Sequence, residues 1–458
     1  MTISRSLDQA DIAALRSTVR GAVHRPTDPG YPIDGFNVAV SRRPWAVVDV
    51  LDADDVAAVV AFAGDAGMTV AVHSTGHGGT QIDGHSIVVR TGLLDVCNVD
   101  PEKRVARIGA GVRWQTVLDA AAPHGLAPLC GSSTTVGVAG FLSGGGIGPL
   151  VRTVGASSDH ARSITVVTGD GEIIIATPEL NPELFWGLRG GKATLGIITE
   201  VTVDLLPVPE IYGGALYFDG SEADRIVRAW RDWALALPRV ANTSLALLRL
   251  PEMPGVPPML AGRLTVAVRY AGIGDLADHA EILAPMRAVT TPLLDAVGPM
   301  PYAAIGAIHA DPVDPMPTHE GAALLHDLPD DAIDALLDAT GPTSGSALTV
   351  VEMRLLGGAF ADEPTVRSAL CHRDAALTLT TIGVLAPPIA EAVIGDSGRT
   401  IDGMAPWSTG GRLPNFAASS DPAVNATCYD DDTRSWLAAL ADQHDRRGVL
   451  RVGQVMRA

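Results

Sequence analysis

Segments with helix-like and strand-like spacing of apolar residues alternate along the first half of the chain. Residues 8–20 place apolar side chains at helical spacing and predict an opening helix. The next periodic run predicts a strand, a helix and a strand in turn, at residues 46–50, 53–66 and 69–72. Asp52 or Asp54 can cap this helix, because a carboxylate accepts hydrogen bonds from the unpaired N–H groups of the first turn. In such a strand-helix-strand unit, residues 74–80 form a loop that follows the second strand.

Further alternating runs predict that the chain continues as a mixture of strands and helices. Strands are expected at residues 87–90, 104–109, 163–168 and 172–177. After the prolines at 207 and 209 the pattern changes to longer strands at 215–218, 243–250, 263–270 and 348–356, with a helix at 222–235. This change predicts a second domain with a larger antiparallel sheet, and a last helix is expected at 432–446.

Composition and charge narrow the class of protein. The chain has 458 residues, of which 47% are hydrophobic and 19% charged, so it can bury a large core. The formal charge of −19 disfavours nucleic acid and anionic membranes as partners. No long apolar run and no export signal is found, so we expect a soluble, cytoplasmic protein. The four cysteines form no CxxC pair, and neither a metal site nor a disulfide is expected.

Candidate chemistry begins in the glycine-rich loop that follows the strand at 69–72. Residues 73–80 read HSTGHGGT, with His77 placed among glycines and hydroxyl residues. Small residues allow backbone N–H groups to approach a diphosphate closely. The loop has neither a Walker Lys-Ser/Thr nor the GxGxxG pattern of nicotinamide-binding proteins. A glycine-rich turn with a surface histidine is the alternative interpretation.

A second glycine-rich segment covers residues 132–148, SSTTVGVAGFLSGGGIG. Each glycine in regular structure costs on the order of 0.5 to 1 kcal/mol of conformational free energy, so a packing or ligand-related reason is expected. A flat ring lying against the backbone would supply that reason. Tight turns between strands are the alternative.

Together with Asp159 and the segments 162–177 and 183–208, these loops resemble the berberine-bridge-enzyme-like branch of the vanillyl-alcohol-oxidase (PCMH-type) FAD-binding flavoprotein superfamily. The resemblance implies an α+β fold with a two-subdomain FAD-binding domain and a substrate domain whose antiparallel sheet is covered by helices. The implied division is an FAD-binding domain over residues 1–206, a substrate domain over 207–400, and a segment at 401–458 that returns to the FAD-binding domain.

The resemblance also implies a set of residues that bind FAD. His77 matches the histidine that bonds the 8-methyl group of the flavin. Ser133 stands where bicovalent relatives carry a second, cysteinyl link, so a single covalent bond is expected, and Cys130 is out of register to replace it. The other implied cofactor-binding residues are Ser74, Thr75, Gly76, Gly78, Gly79, Thr80, Val136, Gly137, Gly140, Gly145, Gly148 and Ile198.

Acid–base candidates come from the second domain and the C-terminal part. Hydride transfer to a flavin requires a group within hydrogen-bond reach that accepts a proton. Glu352 and Arg354 alternate on one predicted strand, and either the site or a solvated ion pair explains them equally well. Tyr302 can line the pocket, although a structural role is favoured. Relatives often carry a tyrosine and an asparagine in a strand before the last helices, and this sequence retains only the asparagine, Asn415.

The expected function follows from the resemblance. It implies an FAD-dependent oxidase that takes hydride from an alcohol, amine or phenolic group of a small natural-product-like molecule and passes electrons to oxygen. The small residue Val138 weakly favours an oxidase over a dehydrogenase. An oxidative cyclase and a non-catalytic flavin-binding relative are the alternatives. A monomer or homodimer is expected.

Overall fold

Three β-sheets organise the chain in the computed structural model, which describes residues 9–457. The first sheet has the strand order β1-β2-β4-β3, with β1 antiparallel and the other strands parallel. Its strands are β1 (Ala22–His24), β2 (Ala46–Asp49), β3 (Thr69–His73) and β4 (Ser86–Arg90). The helix α1 (Gln9–Thr18) precedes the sheet, and α2 (Ala53–Ala66) connects β2 to β3.

The local sequence explains the bounds of α2. The Asp52 side chain accepts a hydrogen bond from the Asp55 backbone N–H, which caps the first turn as expected. Gly67 ends the helix at φ 66°, a left-handed conformation that glycine adopts without steric cost. The predicted helix over 53–66 is therefore confirmed to the residue.

The second sheet is antiparallel and has the order β5-β6-β9-β7-β8. Its strands are β5 (Cys97–Asp100), β6 (Val105–Gly109), β7 (Ala161–Val167), β8 (Ile173–Ala176) and β9 (Ile197–Asp204). Short helices lie between them, namely α3 (Trp114–Ala121), α4 (Val138–Ser143), α5 (Val151–Val154) and α6 (Pro182–Gly187). The first two sheets share one hydrophobic core, which includes Ile87, Ile108 and Val166.

The third sheet contains eight antiparallel strands and confirms the expected larger sheet after residue 207. Its strands are β10 (Glu210–Asp219), β11 (Ala241–Arg249), β12 (Leu264–Gly272), β13 (Leu294–Asp295), β14 (Gly298–Pro301), β15 (Thr318–Leu325), β16 (Val350–Leu355) and β17 (Leu377–Val384). The accompanying helices are α7 (Ala223–Leu235), α8 (Asp278–Arg287), α9 (Asp330–Thr340) and α10 (Ala390–Gly403).

The two faces of the third sheet differ in chemistry. Leu245, Met353 and Leu379 are paired across β11, β16 and β17 and pack in one core with residues of the four helices. Because side chains alternate along a strand, Glu352 and its neighbour Thr380 point to the opposite face. The sheet therefore has an apolar face covered by helices and a polar face turned the other way.

The C-terminal part returns to the first two sheets. Helix α11 (Pro422–Ala426) is followed by α12 (Asp431–His444), which packs against α6. Beyond α12, Val449 accepts a hydrogen bond from the backbone N–H of Val70 on β3. The Asp445 carboxylate, which is buried, accepts from the N–H groups of Val449 and Leu450. Within the described chain, no helix combines the length and the apolar character needed to cross a bilayer.

Candidate active site

One cavity lies between the loops of the first two sheets and the polar face of the third. The first loop is residues 74–80, which follow β3, and the second is residues 131–137, which lead into α4. Glu320, Glu352, Arg354, Thr380 and Ile382 contribute the opposite wall from the third sheet, and Val452, Gly453 and Gln454 contribute a third side from the C-terminal segment. Segments that are far apart in sequence thus enclose one space.

Most of the predicted cofactor-binding residues line this cavity. They are His77, Ser74, Thr75, Gly76, Gly78, Gly79, Thr80, Ser133, Val136, Gly137, Gly140 and Ile198. The strand-to-loop transition after β3 and the start of α4 explain their convergence, since both loops leave their elements toward the same space.

The imidazole of His77 is held by an aromatic ring and a hydroxyl group. The Phe36 ring stacks on it with centroids 4.2 Å apart and an interplanar angle of 12°. Nε2 of His77 lies 3.1 Å from Oγ1 of Thr135, and that hydroxyl in turn lies 3.0 Å from Oγ of Ser133. A Thr135 hydroxyl that accepts from Nε2 leaves the free electron pair of the ring on Nδ1.

The His77 side chain is neutral over the physiological range. Burial, and to a smaller degree Arg113, lowers the pKa of His77 to about 4. A neutral imidazole keeps a lone pair, which a nucleophilic nitrogen requires. Its chemistry is therefore that of a nucleophile and not that of a cation.

The loop residues fit FAD on two observations. A side chain at Gly78 or Gly140 would point into open space, so the cavity comes directly against the backbone there. Arg42, which also lines the cavity, has a buried Nη2 without a hydrogen-bond partner in the described structure, and this nitrogen lies against Gly79. An unpaired guanidinium N–H beside a glycine-rich loop suits an anionic group such as a diphosphate.

The expectation that Gly145 and Gly148 contact the cofactor is corrected by the structure. Neither is among the residues that line the cavity. A Cβ at Gly148 would collide with the carbonyl oxygen of Cys130, and one at Gly145 would meet the side chain of Leu370 at 2.6 Å. These glycines are required by close backbone and side-chain packing of the turn after α4, and this is the tight-turn alternative.

Val138 and Cys130 are also directed away from the cavity. Val138 is fully buried in the core shared by the first two sheets, so its size gives no information about oxygen access. Cys130 is buried as well, and burial raises the pKa of its thiol to about 12. The thiol is thus protonated and is not poised as a nucleophile.

Glu352 and Arg354 line the cavity as part of a buried ion-pair network. Oε1 of Glu352 accepts from Arg269 and from Oγ of Ser244 at 3.1 Å, while Oε2 accepts from Nε of Arg354 at 2.8 Å. Nε2 of His309 lies 3.3 Å from Oε1. Burial alone would raise the pKa of Glu352, but Arg354, Arg269 and His309 hold it well below its usual range. Glu352 is therefore a counter-ion and a poor proton acceptor. The alternative interpretation, in which Glu352 and Arg354 form a solvated ion pair, is wrong because the pair is buried.

Asn415 and Tyr302 have structural partners. Nδ2 of Asn415 donates to the Phe141 carbonyl oxygen at 2.9 Å and Oδ1 accepts from Lys192, so both polar atoms fix the cavity wall. Tyr302 is buried outside the cavity, and its hydroxyl donates to the Pro128 carbonyl oxygen at 2.6 Å. The expectation that Tyr302 is catalytic is corrected, because its hydroxyl braces the chain segment before the second glycine loop.

Several residues that line the cavity could not be identified from the sequence pattern. Lys192 lines the cavity, and burial lowers the pKa of its ammonium group to about 8. Gln454 donates to the carbonyl oxygens of Pro414 and Ala417 and closes the third side. Arg42 carries no recognisable sequence signal. Glu320 had one, because it is an acidic residue on an otherwise strand-like segment, as Glu352 is.

The chain is similar to known FAD-binding proteins. Residues 44–177 match the FAD binding domain family. The (R)-6-hydroxynicotine oxidase of Paenarthrobacter nicotinovorans is 29% identical over 311 residues, which cover 64% of each chain. The matched region thus spans less than two thirds of that relative.

Solved structures share the fold over nearly the whole length. The 6-hydroxy-D-nicotine oxidase of Arthrobacter nicotinovorans superposes with a TM-score of 0.83 at 24% identity, over 96% of this chain and 98% of that one. The BBE-like 1 protein of Physcomitrella patens gives 0.83 at 17% identity, over 96% and 97%. Residues 44–177 thus match an FAD binding domain, and the chain as a whole shares the fold of these solved structures.

Proposed function

We propose that the protein is an FAD-linked oxidase that takes hydride from an alcohol, amine or phenolic group of a small organic molecule. One observation carries this proposal, namely the cavity that joins the glycine loops to a polar sheet face. Such a space can hold a flat cofactor on one side and a substrate on the other. The resemblance to an enzyme named as an oxidase supports oxygen as the final electron acceptor.

The chain's own residues have separate roles in this proposal. The two glycine loops and Arg42 hold FAD, and the bound FAD supplies a two-electron acceptor for the hydride. Lys192 and Asn415 keep the wall at Gly140 in place. The ion-pair network of Glu352, with Arg354 at its edge, fixes the shape of the opposite wall.

We further propose that His77 is bonded to the 8-methyl carbon of FAD. The lowered pKa of His77 leaves a neutral ring, and in the tautomer whose Nε2 donates to Thr135 the lone pair lies on Nδ1. With FAD bound, this nitrogen would replace a hydrogen of the 8-methyl group, with loss of a proton. The bound flavin would take up the electron pair of the broken C–H bond, and oxygen would reoxidise it.

The test begins with the visible spectrum of the purified protein. We expect flavin absorbance that stays with the acid-precipitated protein, and its loss from the precipitate in His77→Ala. The matched control is His85→Ala, since His85 is exposed and lies next to β4. Flavin that leaves the wild-type protein in acid would contradict the tether.

The oxidase reaction needs its own measurement. Anaerobic addition of amines, alcohols and phenols should bleach the flavin for at least one class, and admission of air should restore the colour and produce hydrogen peroxide. A flavin that no member of these three classes reduces would overturn the enzymatic part of the proposal.

A further inference from the structure

Glu320 stands in the cavity without a counter-ion. It lies on β15, and its side chain points to the polar face of the third sheet and lines the cavity. Its side chain is surrounded by protein, yet it is exposed to the cavity space. Its carboxylate accepts a long, weak hydrogen bond from Oγ1 of Thr318 at 3.5 Å. Within residues 9–457, no Lys, Arg or His lies within ion-pair distance of this carboxylate.

The contrast with Glu352 shows what Glu320 lacks. These are the two acidic residues of the described cavity wall. Glu352 accepts hydrogen bonds from Arg269, Arg354 and Ser244. Glu320 accepts one from a hydroxyl group at the limit of hydrogen-bond distance. Strand β17 lies between β15 and β16, so the Cα atoms of Glu320 and Glu352 are about 10 Å or more apart at ordinary strand spacing. The arginines that neutralise Glu352 therefore do not serve Glu320.

The polar face offers a second unused group beside Glu320. Thr380 on β17 is paired with Ala322, two residues along β15 from Glu320, and points to the same face. Its buried Oγ1 has no hydrogen-bond partner in the described structure, and it lines the same cavity. A buried polar atom without a partner is unfavourable unless a ligand satisfies it. The aromatic rings of Phe36 and Phe416 line the cavity as well.

An unpaired carboxylate in such a site favours a particular ligand charge. Burial raises the pKa of Glu320, because no cation compensates the ionised form. A ligand with a positive group would supply the missing charge, whereas a neutral ligand of the same shape would not. The same carboxylate is suited to accept a proton.

We propose that Glu320 makes this protein selective for amines, by binding the ammonium group of an arylalkyl amine substrate beside Thr380. The inference rests on the proposed oxidase function and names its substrate class. The ammonium passes a proton to the Glu320 carboxylate, which leaves a neutral amine. The neighbouring carbon then gives its hydride, with the electron pair, to FAD, and the nitrogen lone pair forms the C=N bond of an iminium product.

The test compares two ligands that share a carbon skeleton, benzylamine and benzyl alcohol. Their dissociation constants are measured at neutral pH, without oxygen, by rapid mixing, from the change that each causes in the visible spectrum of the bound flavin before any bleaching. We expect wild-type protein to bind benzylamine about tenfold more tightly or better, which corresponds to about 1.4 kcal/mol. In Glu320→Gln this preference should vanish while the flavin spectrum is retained.

Two further variants make the result specific. Glu391→Gln removes one negative charge from the exposed surface of α10 and should keep the preference. Glu320→Asp keeps the charge and should keep most of the preference, which separates charge from folding defects. Equal binding of the two ligands by wild-type protein, or a preference that survives in Glu320→Gln, would overturn the proposal. A protein without flavin would instead refute the proposed function itself.

Discussion

At the scale of single residues, two glutamates of one sheet face have opposite chemistry because their partners differ. Glu352 and Arg269 each have a side chain 6% exposed, so their charges are compensated by each other and by Arg354. Removing one partner of such a group leaves an uncompensated buried charge. Glu320 has no such partners and is open to the cavity. The number of neighbouring donors, and not the residue type, decides which carboxylate can exchange a proton.

This difference predicts a stability effect for Glu352→Gln. The variant leaves Arg269 and Arg354 without a counter-ion, so we expect a loss of about 3 to 5 kcal/mol in the free energy of unfolding. Urea denaturation at neutral pH measures it. The control is Glu200→Gln, whose partner Arg107 has a side chain 60% exposed, and which should cost less than about 1 kcal/mol.

The stability difference between wild type and Glu352→Gln should also depend on pH. The folded-state pKa of Glu352 is depressed, so its contribution is fully present above the ordinary glutamate pKa and is lost as the pH falls through the folded value. The stability gap between wild type and Glu352→Gln should therefore be constant around neutrality and narrow in acid. A gap that widens in acid would contradict the ion-pair network.

At the scale of elements, the second glycine loop separates glycines that serve a ligand from glycines that serve packing. Gly140 lies within α4 and a Cβ there meets open cavity, whereas a Cβ at Gly148 collides with the Cys130 carbonyl oxygen. Both residues are indistinguishable in the sequence pattern. Their surroundings are set by chain segments that fold against the loop.

The two alanine variants should therefore behave in opposite ways. Gly140→Ala should raise the melting temperature of the flavin-free protein, since alanine favours a helix by about 1 kcal/mol over glycine, and yet weaken FAD uptake. Gly148→Ala should destabilise the protein by about 1 to 3 kcal/mol through overpacking. Thermal unfolding and the flavin-to-protein absorbance ratio measure both effects. Normal FAD content in Gly140→Ala would argue against a ring beside this helix.

The same contrast explains how much of the molecule the sequence predicts. Helix α2 and strand β16 follow local apolar spacing, and their bounds agree with prediction to within two residues. The cavity position of His77 follows from a loop placed directly after a strand. Tyr302 and Arg42 were misjudged or missed because their surroundings come from remote segments, which no local pattern records.

At the scale of the whole molecule, the cavity exists only when distant parts of the chain are in place. The loop after β3 supplies one side, the third sheet supplies another, and residues 452–454 close a third. The closing segment is held by backbone contacts, from Val70 to Val449 and from Ala193 to Gln454. Binding at such a site stabilises every segment that must be ordered to form it.

FAD should therefore order the loop after β3 and the C-terminal segment together. We expect that FAD added to flavin-free His77→Ala slows amide hydrogen exchange at residues 74–80 and at residues 449–454 over the same range of FAD concentration. Helix α9 lies on the covered side of the third sheet, so its exchange provides an internal control that should change least. Hydrogen-exchange mass spectrometry resolves these segments. Protection confined to 74–80 would mean that the C-terminal segment takes no part in holding the cofactor, and the cavity would then have to be closed by the first two sheets alone.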